Sequence, residues 1–200
     1  MVGESILNEI IKKTLSLGAS RVYLINPQEI PVSWKASLLC LDCNVHKNYF
    51  MRRWSCPPYS PLPEKTKEIL SHYDYALVVN VEARFWPLTN HSYNTLNPLI
   101  QINQKIFCHY YWRKLHFIML KMKRLLSTEY KVFSWGSSPC HGCFKCSYPF
   151  RCRRPDFFLF SPEASGIDLY LLAKKLNIPI EIPPKEKIQL LSLMVWEKSY

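Results

Sequence analysis

Apolar residues at Ile6, Leu7, Ile10, Ile11 and Leu17 recur at the spacing of one helical face, and Gly18 supplies the left-handed residue that ends such a helix. The pattern predicts a helix over about Glu4 to Leu17. Val22-Tyr23-Leu24-Ile25 then reads as a short buried strand, stopped by Asn26-Pro27. From there to about Pro61 no period is sustained, and separated prolines and cysteines mark a loop shaped by what it binds. Pro63 suits the first turn of a helix running to about Tyr73, with Ala76 to Val81 following as a strand.

From Leu99 to Ser127 the pattern is that of a long helix. Phe107, Cys108, Tyr111, Leu115, Ile118, Met119, Met122, Leu125 and Leu126 fall in one arc, while Arg113, Lys114, Lys121 and Arg124 fall opposite with Tyr110 and Phe117. One face should be core and the other basic, and Cys108 reads as a small core hydrophobe. Val132-Phe133 continues as a strand. Ser161-Pro162-Glu163 predicts a capped helix start leading through Leu176, closed by Asn177 and Pro179, and Ile188 to Trp196 is a last strand. At Glu163 and Asp168 the acids suit a helix amino terminus. The alternation of helices and strands predicts an α/β fold over residues 1–200 as a single domain. A small mixed or parallel sheet should be flanked by helices, with cysteine-rich loops at about 40–61 and 138–156 on one edge.

A chain of 200 residues that is 48% hydrophobic has enough apolar surface for one sizeable core. No run of about 18 uncharged apolar residues occurs, and the amino terminus carries Glu4 and Glu9 instead of a basic flank before an apolar run. Neither a membrane span nor a signal peptide is expected, and the chain is expected in the cytoplasm. There, cysteines at two-residue gaps bind metal more often than they form disulfides.

Two groups of cysteines carry the chemistry. Cys140-x2-Cys143-x2-Cys146, with Cys152 beyond, supplies thiolates close enough in sequence to wrap the corners of a cubane, which favours a 4Fe–4S cluster; zinc sites more often use two separated pairs. Gly142 lets the backbone bend between ligands, and Lys145 with Arg151, Arg153 and Arg154 offsets thiolate charge. Cys40-x2-Cys43 and Cys56 form a second group of three, whose fourth ligand is open to His46, Cys152, Cys108, a small molecule or nothing at all. One or two iron–sulfur clusters are therefore expected, with zinc as the alternative. His141 reads as a solvent-facing loop residue. The histidines lack the H-E-x-x-H spacing of a zinc protease, and no glycine-rich phosphate loop occurs among five glycines. No reaction is assigned.

Trp54-Ser55-Cys56-Pro57-Pro58 after a cysteine pair, then Cys140 to Cys146 with Tyr148-Pro149, Cys152-Arg153-x-Pro155 and Ser161-Pro162-Glu163-Ala164-x-Gly166-Ile167-Asp168 carry a resemblance. In that order they resemble the family of predicted metal-binding proteins called domain of unknown function twenty-two eighty-four. The likeness runs from about Cys40 onward. It implies a small cytoplasmic protein of the archaeal and anaerobic type, whose cysteines bind iron–sulfur or another metal; it implies no particular reaction. Between Cys43 and Cys56 the spacing is longer than the family's, and Phe50 stands where a glycine commonly follows Tyr49.

The formal net charge is +11, concentrated in residues 101–156, which hold eleven basic and two acidic side chains. An anionic partner would meet Arg113, Lys114, Lys121, Arg124, Arg151, Arg153 and Arg154. A redox partner protein is one expectation. The other is RNA, since Tyr110, Trp112, Phe117 and Phe144 interleave with the cations and aromatics can stack on bases.

Overall fold

The computed structural model describes residues 4–40, 53–84, 98–137, 139–143, 145–181 and 187–198, with the backbone alone at 98–106, 108 and 198. Helix α1 (Glu4–Ser16) leads to β1 (Arg21–Ile25), a short α2 (Trp34–Leu38), α3 (Pro63–Ser71), β2 (Tyr75–Arg84), the long α4 (Pro98–Leu126), β3 (Tyr130–Trp135), α5 (Leu169–Lys175) and β4 (Lys187–Lys198). Gly18 ends α1 at φ +100°, as its position predicts.

The strands form one four-stranded sheet in the order β1-β2-β4-β3. Alternate residues of the two central strands build two cores. Leu77, Val79 and Val81 of β2, with Leu190, Met194 and Trp196 of β4, pack against Leu115, Ile118, Met119 and Met122 of α4 and Ile10 of α1. On the opposite face Ala76, Val78, Leu191, Leu193 and Val195 pack against Leu70 of α3 and Leu172 and Ala173 of α5. Each large aliphatic side chain so buried contributes about 1.5–3 kcal/mol.

The α/β class holds, but the ladders are antiparallel instead of mixed or parallel. The physical reason lies in the last strand. Because β2 and β3 each pair antiparallel with β4, they run parallel to one another, and α4 joins them as an ordinary helical crossover. β4 enters the gap and splits the pair. With helices on both faces, an antiparallel sheet acquires the continuous apolar runs that parallel sheets usually show.

Three local expectations change. Trp34–Leu38 forms a short helix capped by Ser33, which accepts from the Ala36 N–H at 3.3 Å. Ser161 starts a turn instead of a helix, and the chain reaches Gly166 at φ +80° before Asp168 caps α5 by accepting from Leu171 N at 2.9 Å. On α4, Leu120 is buried at 3% exposure while Leu125 stands 49% exposed. Among the described residues no helix is long and apolar enough to cross a membrane.

Candidate metal centre

The described residues of 136–168 leave β3, an edge strand, and fold back over the outer face of α4. His116 of α4 meets the Phe157 carbonyl at 2.8 Å through Nε2. Trp112 stacks on His141 with ring centroids 5.6 Å apart, and Phe117 meets Phe157 edge-on at 6.3 Å. The face of α4 expected to be basic and solvated is therefore largely covered here, with Arg113 and Lys114 half-buried and Lys121 and Arg124 exposed. The guanidiniums of Arg124 and Arg154 both lie over the Phe157 ring at 5.1 Å.

Cys140, Cys143, Cys146 and Cys152 all line one small cavity, walled also by Arg53, Trp54, Ser55, Arg154 and Phe158. The thiols are free. Gly142 N–H donates to Cys140 Sγ at 3.5 Å, and Cys140 Sγ donates to the Phe157 carbonyl at 3.6 Å. Burial holds the Cys140 thiol above its ordinary pKa. Gly142 is required for close approach, not for an unusual φ: a Cβ there would lie 2.8 Å from the Phe157 carbonyl oxygen.

The segment before α3 forms the other wall. Arg53 Nη1 donates to the Cys140 carbonyl at 2.8 Å, and Cys140 N donates to Ser55 Oγ at 2.8 Å. Ser161 N donates to the Ser55 carbonyl at 3.1 Å, so residues 53–55 are pinned from both sides. Trp54, Tyr59 and Tyr148 form an aromatic cluster with centroids 4.7–5.5 Å apart, closed by a 2.7 Å hydrogen bond between the two tyrosine hydroxyls. Arg53 and Ser55 escape sequence reasoning as site residues, although their place beside Cys56 is a signal.

Cys56 belongs to this neighbourhood. It is 6% exposed, and burial pushes its thiol up to about 11, with Cys146 and Glu163 near enough to add to the rise and Arg53 to oppose it. Burial also raises Glu163, whose carboxylate accepts from Ser161 Oγ at 3.0 Å. Cys40 is half-buried at the end of α2 and is not among the residues lining the cavity. Cys43, His46 and Phe144 lie outside the described residues, as does the side chain of Cys108.

His141 is buried at 7% exposure, not solvent-facing. Its ring packs between α4 and the cysteine run, within 5.3 Å of His109 and 6.4 Å of His116 by centroid, and neither ring nitrogen has a hydrogen-bond partner among the described residues. Burial lowers His141 to about 3 and His116 to about 4, so both are neutral near pH 7.

The donor set suits a thiophilic metal. A single zinc ion with bonds of about 2.3 Å would draw four sulfurs to about 3.8 Å from one another. Among the described residues no three His, Cys, Asp or Glu side chains are grouped so as to hold one ion. Four cysteines are a donor set that both zinc and an iron–sulfur cluster accept.

No curated protein and no solved structure matches this chain. A family model does match it, over residues 23–195, described as "Predicted metal-binding protein (DUF2284)". Since the match spans most of the sequence, including both cysteine groups, the chain belongs to this family of predicted metal-binding proteins.

Proposed function

We propose that the chain is an iron–sulfur protein holding a 4Fe–4S cluster on Cys140, Cys143, Cys146 and Cys152, working in electron transfer or in redox or sulfur chemistry. The observation that carries this reading is the common cavity lined by four free thiols of one short stretch. Such a cluster, when bound, supplies one-electron redox chemistry at a potential set by hydrogen bonds to sulfur and by solvent exposure. The protein's own groups suit that task. The Gly142 N–H donates to Cys140 sulfur, and Arg53, Arg154, Trp54 and Phe158 line the same cavity, where the two guanidiniums would offset thiolate charge. Cys40, Cys43 and Cys56 are the candidates for a second, three-thiol group.

A zinc-braced module that binds RNA is the second reading, favoured by Lys121, Arg124, Arg151 and Arg153, which are exposed and have no ion pair among the described residues. It is weakened by Trp112 and Phe117, whose rings contact His141 and Phe157 instead of offering stacking faces.

Purification without oxygen, followed by absorption spectroscopy with iron and sulfide analysis, separates the two. The expected result is a brown protein with about four irons and four sulfides per filled cluster. A colourless protein holding stoichiometric zinc overturns the iron–sulfur reading.

A further inference from the structure

We infer that the turn between Cys146 and Cys152 is the docking point for a small acidic electron-transfer protein; this inference rests on the iron–sulfur reading above. Phe150, at the tip of this turn, is 78% exposed, more than any other exposed large hydrophobic among the described residues. Leaving such a ring in water forgoes the burial that a large apolar side chain ordinarily gains on folding. The turn that carries it is nevertheless tightly built. Phe150 N donates to the Ser147 carbonyl at 2.8 Å, Trp54 Nε1 donates to the Phe150 carbonyl at 3.1 Å, and Ser147 Oγ donates to the Arg151 carbonyl at 2.9 Å. Trp54 is in turn packed against Tyr59 and Tyr148. A braced backbone thus presents an apolar side chain that the fold itself does not use.

The rim supplies the second observation. Lys145, Arg151, Arg153 and Arg154 are exposed around the turn, and none has an ion pair among the described residues. Asp156 is the single acidic side chain in residues 141–160. Two of the cations are fixed in place: Arg153 Nη2 donates to the Lys145 carbonyl at 2.9 Å, and Arg154 lies over the Phe157 ring at 5.1 Å. An apolar anchor inside a charged rim is the anatomy of a transient protein interface, and the sign of the rim selects an acidic partner. An RNA strand would instead want several stacking faces along its path.

Position supplies the third. Phe150 stands two residues from Cys152 and four from Cys146, both on the cavity wall. A partner seated on Phe150 would be separated from two thiolates by one turn of chain. The step balances simply: the reduced partner gives one electron to the oxidised cluster, and no bond forms or breaks.

The test uses the full chain, purified without oxygen, as the parent and as Phe150→Ser, Arg151→Glu and Lys145→Glu variants, with Lys131→Glu as a distant control. Stopped-flow reduction is followed with two reductants, a photoreduced acidic 2Fe–2S ferredoxin and reduced methyl viologen. With ferredoxin at low salt, each charge reversal is expected to slow reduction about tenfold, the gap closing as salt rises. Phe150→Ser is expected to slow it several-fold at every salt concentration. Phe150→Ser, which leaves the charges around the thiols in place, should change methyl viologen rates and cluster spectra less than about twofold, and the two charge reversals should slow ferredoxin far more than the cationic methyl viologen. Ferredoxin rates that match the parent in all three variants overturn the inference while leaving the cluster reading intact. The same holds if Arg151→Glu and Lys145→Glu abolish binding of a poly(U) RNA without altering ferredoxin rates. A colourless parent overturns both.

Discussion

Gly142→Ala tests the joint between the thiol run and α4. The added Cβ would sit 2.8 Å from the Phe157 carbonyl oxygen and 3.0 Å from Phe157 Cβ. Ordinary contact begins near 3.4 Å, so the carbonyl would have to retreat by about 0.6 Å. It is not free to do so. It receives His116 Nε2 at 2.8 Å and Cys140 Sγ at 3.6 Å, and two guanidiniums lie over its ring. Overpacking of this kind costs about 1–3 kcal/mol. Weakening the buried His116 bond adds about 1 kcal/mol. The expected loss is about 2–4 kcal/mol, read as a lower urea midpoint at unchanged slope. Metal-free and metal-loaded protein should both be measured, because bound metal stabilises by mass action. Gly18→Ala is the control: there the added atom meets only the flexible end of Lys114, at 2.9 Å, and the φ of +100° accounts for a loss of about 1 kcal/mol. Gly142→Ala within about 0.5 kcal/mol of the parent would refute the joint as described.

Two further outcomes are expected. Folding depresses His116 from 6.5 to about 4, so between those values the unfolded chain binds the extra proton. Stability therefore rises with pH across that window and is lost as pH falls from 6.5 toward 4, by about 1.4 kcal/mol per pH unit for this group. His116→Gln should flatten that part of the curve for the metal-free protein, and an unchanged slope would show that His116 is not sealed. Among the thiols, Cys146→Ser is expected to remove most of the iron of the cavity cluster, whereas Cys56→Ser leaves about four irons per chain in place. Equal loss in both variants would mean that the two groups share one centre.

Much of the fold was legible because its signals are local. Helices α1 and α4 announce themselves by period, β2 and β4 by apolar runs, and Gly18 by its place after the last periodic residue. Strand order was not legible, since nothing in the runs of β2 and β3 says that the last strand will enter between them. The misplacement at Ser161 has a similar origin. Its hydroxyl does accept from Ala164 N, at 3.4 Å, as a helix cap would, but Gly166 then takes a positive φ and diverts the chain. Local capping chemistry cannot distinguish a single turn from a helix whose continuation is decided two residues later.

The site divides along the same line. Cys140, Cys143, Cys146 and Cys152 lie close in sequence, so their spacing alone groups them, and all four line one cavity. His141 sits in the middle of that run, yet its burial depends on Trp112, distant in sequence, and could not be read from its neighbours. Cys56 is the sharper case. Sequence proximity groups it with Cys40 and Cys43, whereas Arg53 and Ser55 are bonded to Cys140 from the residues just before it. The wall of the cavity is thus borrowed from a segment 85 residues away, held by Ser55. A loop that carries four thiols but too little apolar area to fix its own shape gains that shape from α4 on one side and residues 53–55 on the other. That division explains why the thiols could be read from spacing while the groups that orient them could not.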